Sequence, residues 1–292
     1  MTAAMVAAST VLAGAIGPVT AYANTTTPTT PTTHLTVASM NVLGASHTLH
    51  STRYASGARR MHGQVRLIQQ HAVDVVGFQE LQKTQLTKFL SLTAGTFATY
   101  PDPADTTVRD TDRENSIAWR TATWTLVSAE TVDIPYFDGH IRHMPVVELS
   151  NNATGVKAWF ANFHNPATNP RHRHQWRWRK QAIADEVALA NQLNQTGVPV
   201  VFTGDMNERA RVFCPMTGQA PMTAARGGSN VDGVCDPMHP WYVDWIFGSK
   251  KLSYDHYVED RTPVDKHLSD HPMIVTGVGI DPASFPAAVP TP

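Results

Sequence analysis

V-D-V-V-G-F-Q-E-L, residues Val73 to Leu81, sets the reading of the chain. Its first seven residues form a short, mostly apolar run of the kind buried on both faces of a sheet. An acid, Glu80, stands where the run ends. Upstream, Ala58 to His71 places Met61, Val65 and Ile68 at helical spacing, and Leu35 to Leu43 is a β-rich run. Downstream, Thr84 to Leu92 carries Leu86, Phe89 and Leu90 on one side of a helix. The pattern then turns to strands: Ser116 to Arg120, Thr123 to Ile134, Met144 to Leu149 and Val156 to Phe163. The last two are joined by Asn151-Asn152-Ala153-Thr154-Gly155, a hairpin signal. Gln175 to Gln195 reads as a long helix stopped by Gly197 and Pro199. Val198 to Thr203, Val243 to Gly248 and Met273 to Val278 are further strands. The class is α/β, with two strand-rich halves compatible with two packed sheets covered by helices.

At 292 residues and 42% hydrophobic content the chain has ample material for a packed core. Lys and Arg number 23 against 24 Asp and Glu, so any affinity for a polyanion must come from a local patch. Residues 1–23 carry no charged side chain, are apolar around Ala3 to Val19 and close on Ala21-Tyr22-Ala23, the pattern of a signal peptide and its cleavage site. A short apolar anchor is the alternative, but Gly14, Gly17 and Pro18 interrupt the run. No later segment reaches the roughly 20 apolar residues of a membrane helix. Residues 24–33 are a Thr/Pro-rich linker, residues 34–280 one domain and residues 281–292 a proline-rich tail. The expected product is a secreted monomer. The two cysteines, Cys214 and Cys235, read as a disulfide in an exported protein; a catalytic thiol is the alternative and lacks a local partner.

Polar side chains gather at the ends of the apolar strands. Asn41 is late in the first, Glu80 follows V-D-V-V-G-F-Q, His164 follows W-F-A-N-F, Asp205 and Asn207 follow V-V-F-T-G, and Asp244 precedes W-I-F. Strand rims in α/β proteins are where sites are assembled. Carboxylate and amide oxygens suit Mg²⁺, Mn²⁺ or Ca²⁺ better than zinc, and no Cys/His pairs stand at zinc spacing. A divalent cation offsets the charge that shields a phosphodiester, and a positioned histidine assists proton transfer. Singly, each residue has a plainer reading. Glu80 suits a helix N-terminus, Gly204-Asp205-Met206-Asn207 a turn, His164 a structural histidine, and Ser269-Asp270-His271-Pro272 a loop cap.

Taken together and in order, V-V-G-F-Q-E-L (Val75 to Leu81), T-G-D-M-N-E-R (Thr203 to Arg209), V-D-W-I-F (Val243 to Phe247) and S-D-H-P (Ser269 to Pro272) resemble the endonuclease/exonuclease/phosphatase superfamily across His34 to Gly279. The resemblance implies a four-layer α/β/β/α sandwich of two mixed sheets and a metal-dependent phosphoesterase using Mg²⁺, with Mn²⁺ or Ca²⁺ as alternatives. It implies that Asn41 and Glu80 hold the metal with Asp270 nearby, that His164 contacts the scissile phosphate, and that Asp205 and Asn207 orient the water. Asp244 would orient His271, which acts as general base or phosphate ligand, and Asn115 in E-N-S-I-A-W-R would lie near the site. One departure is Asn165-Pro166 after the phosphate-contacting histidine.

Beyond that loop, Arg171 to Lys180 (R-H-R-H-Q-W-R-W-R-K) combines five cations with two tryptophans. Cations neutralise phosphates and tryptophans stack on bases, so Arg171 and Arg173, with Asn165 and Arg142, are the expected substrate contacts. The plainer reading packs the tryptophans against the helix and solvates the arginines. The expected partner is nucleic acid. A sphingomyelinase-like or other phosphate-ester hydrolase is the alternative within the same chemistry, and a non-catalytic binding protein is the alternative outside it.

Overall fold

Side chains alternate across a β-strand, so one strand buried on both faces serves two cores. The computed structural model describes residues 1–2, 31–238 and 242–285. Residues 3–23 of the signal-peptide stretch, residues 24–30 of the Thr/Pro linker and the tail beyond 285 lie outside the described residues. In the first half, β1 (Thr33–Asn41), α1 (Gly57–Gln70), β2 (Val75–Gln79), α2 (Lys83–Thr93), β3 (Phe97–Tyr100), a single turn α3 (Asp110–Arg113) and β4 (Ser116–Arg120) follow one another. The second half comprises β5 (Trp124–Pro135), β6 (Ile141–Asn151), β7 (Lys157–His164), α4 (Trp176–Gln195), β8 (Val200–Asp205), α5 (Ala210–Gly218), β9 (Met222–Ala224), a small hairpin of β10 (Ser229–Val231) and β11 (Val234–Asp236), and β12 (Asp244–Ser249). Last come β13 (Ser253–Asp260), α6 (Thr262–Asp265) and β14 (Met273–Ile280), which return to the first half.

Two six-stranded mixed sheets result, ordered β13-β14-β1-β2-β4-β3 and β5-β6-β7-β8-β12-β9. Each contains one parallel pair, β1 with β2 and β7 with β8, and both pairs carry a helix in the connection. Three cores follow from the alternation. Leu35, Val37, Val75, Ile117, Phe160, Val201 and Ile246 meet between the sheets. The intervening Ala38, Met40, Val76 and Phe78 pack against Met61, Val65 and Ile68 of α1 and Phe89 of α2. Phe163, Phe202, Trp245 and Phe247 pack against Ile183, Val187 and Ala190 of α4 and Phe213 of α5. Fully burying each such side chain contributes about 1.5–3 kcal/mol, which sets the four-layer order. This is the α/β/β/α sandwich that the resemblance implies. Cys214 of α5 and Cys235 of β11 form a disulfide. Among the described residues no helix is long and apolar enough to cross a membrane.

Candidate active site

The faces that the sheets turn toward each other change character along the strands. Val37 pairs with Val75 in one sheet, Phe160 with Val201 in the other, and this level is apolar. Two residues further, Ser39 pairs with Gly77 and Asn162 with Thr203. Here Gln79 Nε2 donates to Asn162 Oδ1 (2.7 Å) and Asn162 Nδ2 donates to the Phe78 carbonyl (2.7 Å), stitching the sheets with buried polar bonds. Gly77 is required at this level, because a Cβ would land on Thr203 Oγ1 and Asn162 Oδ1. After two more residues the strands end on Asn41, Gln79, His164, Asp205 and Asp244, in register within each sheet. The rim is therefore the third level of one alternation, and the polar tier beneath it fixes the spacing of the two walls.

Alternation alone would send Glu80 to the helix layer beside Phe78. Its left-handed backbone (φ 61°) turns the side chain back, a conformation costing about 1–3 kcal/mol in a non-glycine residue. Glu80 Oε2 accepts the Gly44 N–H (2.7 Å) and lies 2.9 Å from His47 Nδ1, and Oε1 accepts from Asn41 Nδ2 (3.1 Å). Burial opposes its charge, but the His47 hydrogen bond, the field of His164 and the Gly44 amide outweigh it and hold the carboxyl well below the usual range. Asn41 Nδ2 also donates to Asp205 Oδ2 (3.1 Å), joining the acids of the two walls, while its Oδ1 accepts the Leu43 N–H.

Asp205 Oδ2 is the focus of the second wall. His164 Nε2 and His271 Nε2 both stand 3.6 Å from it. His271 Nδ1 donates to both oxygens of Asp244 at 3.1 Å, and Ser269 Oγ ties this loop to the Asn41 carbonyl (2.6 Å). The two imidazoles are pushed apart. Burial, with Arg142 and His271 nearby, lowers His164 and keeps it neutral, while Asp244 and Asp205 overcome burial at His271 and raise it well above its ordinary value. Burial and the neighbouring Asp244 raise Asp205 despite both histidines. Asp205, Asp244 and His271 present ligand atoms within 4.8 Å of one another.

Other expected site residues are placed differently. Asn207 is at this rim, with its backbone N–H on Asp205 Oδ1 (3.0 Å) and its amide nitrogen on the Asn165 carbonyl (2.8 Å). Asn115 is fully buried at the start of β4, on the face it shares with Ile117, and both of its amide atoms lack a hydrogen-bond partner. Arg142 stacks over Tyr136 at 3.9 Å and reaches Glu114 at 3.2 Å. Asp270 is exposed and outside the Asp205–Asp244–His271 group, although its charge acts on His271. Arg171 and Arg173 are exposed on the loop before α4.

Asn165 is corrected as a substrate contact. It is fully buried, because the residue after inward-facing His164 must face the helix layer, where its amide lies against Met206 and Glu186. The cation and tryptophan run is also partly structural: Arg179 is buried on Glu208 (2.8 Å), and Trp178 covers Gly139.

Two residues escaped the sequence reading. Tyr136 Oη stands 3.5 Å from His164 Nδ1 with the rings edge to face. Its strand end, D-I-P-Y, carries the same positional signal as the others, but in an aromatic residue. His47, the partner of Glu80, follows β1 by a few residues in a loop with no periodicity to mark it.

Residues 38–271 match the model of the Endonuclease/Exonuclease/phosphatase family. No curated protein sequence matches the chain. Among solved structures, the human Nocturnin catalytic domain with bound sulfate anion shares 17% identity at a TM-score of 0.62, covering 84% of this chain and 94% of that one. A Bacteroides thetaiotaomicron mannosyl-6-phosphatase shares 16% identity at a TM-score of 0.60, covering 84% of this chain and 99% of that one. D. rerio TDP2 complexed with single strand DNA product shares 17% identity at a TM-score of 0.57, covering 84% and 98% respectively. At these identities the likeness is one of fold.

Proposed function

The chain belongs to the endonuclease/exonuclease/phosphatase family, a family of phosphoric ester hydrolases, and from that premise we propose that it is a secreted, Mg²⁺-dependent phosphodiesterase acting as a monomer on nucleic acid. The carrying observation is the meeting of Asn41, Glu80 and His271, delivered by the strands of the first sheet, with Asp205 and His164 of the second. The donor set fits a hard divalent cation, because Glu80 is held ionised and the surrounding ligands are carboxylate and amide oxygens. Glu80 would hold it, with the Asn41 amide beside it. When bound, the ion offsets the negative charge of the ester.

The remaining work belongs to side chains. Tyr136, kept protonated by burial, donates to His164 Nδ1, so that the neutral imidazole carries its proton on Nε2 and offers it to a phosphate oxygen. His271, charged and held by Asp244, donates from its own Nε2 to a second oxygen. Asp205 takes the proton of the attacking water, the P–O ester bond breaks, and the departing alcohol takes a proton from solvent. Arg142 beside His164 and the exposed Arg171 and Arg173 supply positive charge for flanking phosphates. D. rerio TDP2 bound to a DNA product supports the choice of nucleic acid, and the disulfide supports export.

Purified protein should be assayed on plasmid DNA, RNA, sphingomyelin and bis(p-nitrophenyl) phosphate, with Mg²⁺, Mn²⁺, Ca²⁺ or EDTA. Nucleic-acid cleavage that EDTA abolishes and Mg²⁺ restores is expected. Turnover unchanged in chelator would sink the metal-assisted reading, and hydrolysis confined to sphingomyelin would replace the substrate.

A further inference from the structure

Helix α4 buries two ionisable side chains seven residues apart, Arg179 and Glu186, on the face it turns to the second sheet. Arg179 is fully accounted for. Its Nη1 donates to the Pro166 carbonyl (2.8 Å) and Thr168 Oγ1 (3.0 Å), and its Nε to Glu208 Oε1 (2.8 Å), so it ties the loop after β7 to the loop after β8. Glu186 has no such account. It is 0% exposed, neither carboxylate oxygen makes a hydrogen bond of ordinary geometry, and the donor turned toward it is the Asn165 amide. Asn165 is also 0% exposed; its Oδ1 is without a partner, and its Nδ2 is shared between Glu186 and the Met206 sulfur at 3.9 Å.

A carboxylate whose one nearby donor is a shared amide, packed in an apolar layer beside an amide oxygen with no donor, is a costly arrangement. One proton resolves it, since a neutral carboxyl has an O–H to give and Asn165 has an acceptor to receive it. We propose that Glu186 is a positioning residue that, as the neutral acid, donates to Asn165 Oδ1 and thereby sets the Asn165 carbonyl that holds the Asn207 side chain at the active-site rim. The pair acts through the main chain. Asn165 follows His164 directly, its N–H donates to the Asp205 carbonyl (2.9 Å), and its own carbonyl accepts from Asn207 Nδ2 (2.8 Å). A shift of Asn165 is therefore felt on both sides of Asp205. Burial pushes the Glu186 carboxyl up to about 8. Asp185 on the same helix adds to the shift, and the Asn165 amide from the end of β7 opposes it. Met206, which meets the Asn165 amide just past β8, does not titrate.

The linkage has a definite sign. A carboxyl whose folded value is raised binds more protons folded than unfolded, so it lowers stability as pH climbs from the unfolded value near 4.5 to about 8, and adds no further slope above that. Glu186→Gln keeps the shape and can donate to Asn165 Oδ1 but cannot ionise. The thermal midpoints of the full-length protein and this variant should be measured from pH 5 to pH 9.5. The variant's advantage should widen up to about pH 8 and then stay level; a difference independent of pH would overturn the neutral-acid assignment. This readout needs no turnover, so it stands even if the proposed function fails. Where bis(p-nitrophenyl) phosphate is hydrolysed, Glu186→Gln should retain kcat at pH 7, and Glu186→Met should lower it by about tenfold or more with KM little changed. Wild-type kcat in Glu186→Met would overturn the positioning role. Should that variant not fold, Asn165→Ala removes the acceptor instead and must show the same kcat loss for the role to stand.

Discussion

The two sheets bring different chemistry to the same rim. The first offers Asn41 and Glu80, an acid surrounded by donors: the Gly44 amide, the Asn41 amide and His47. The second offers Asp205, Asp244 and His164, and His271 reaches across to them from the loop before β14 of the first; there burial and like charge raise Asp205 and the two imidazoles are driven in opposite directions. A fixed negative charge therefore stands at Glu80 on one wall, and a set of exchangeable protons gathers around Asp205 of the other. Metal-assisted hydrolysis needs both, a site for a cation and a site for proton transfer, and the sandwich supplies them without asking one cluster to do both.

Removing the fixed charge should do the greatest damage. Glu80→Gln preserves volume but discards the anion, and the loss of cation-based stabilisation should cost about 10³-fold or more in kcat/KM. The thermal midpoint at neutral pH should fall, since the ionised carboxyl is held below its ordinary range by His47 and Gly44 and so stabilises the fold. Turnover within tenfold of wild type would show that the first wall does not hold the ion. In the cluster around Asp205, His271→Ala should lower kcat by about 10²–10⁴-fold, and a near wild-type rate would remove His271 from the proton-handling set. Asp244→Asn leaves the imidazole in place and weakens only its anchor, so a loss of about 10–100-fold is expected. A loss equal to or greater than that of His271→Ala would move Asp244 from orienting the histidine to binding the ion.

The contrast between the walls was only half legible in the sequence. Strand ends announce themselves through apolar runs, so Asn41, Glu80, His164, Asp205 and Asp244 were readable as one rim, and the alternation places four of them on the inter-sheet face. Glu80 needs a left-handed backbone to join them, and a φ of 61° leaves no trace in a residue pattern. Asn165 was misread for the converse reason. Adjacency to His164 suggested a shared task, whereas adjacency along a strand means opposite faces. The strands β3, β9, β10 and β11 are three or four residues long, too short to show a period, and β13 shows mixed exposure along its length with a bulge between Asp255 and Val258.

The smallest effect tests the finest part of the contrast, the protonation of His164. Tyr136 is buried against that histidine with its ring under the Arg142 guanidinium, so its hydroxyl has one nearby imidazole nitrogen to serve. At 3.5 Å the bond is long, and a hydrogen bond of this kind contributes about 1 kcal/mol. Tyr136→Phe should therefore reduce kcat by about fivefold, with KM and the thermal midpoint little altered, because the ring and its stacking remain. Nitrogen-15 shifts of His164 should show the proton leaving a fixed Nε2 position and spreading over both tautomers. If kcat falls while the wild-type tautomer persists, Tyr136 acts on the phosphate rather than on the histidine, and the proton on Nε2 must be placed by Asp205 alone.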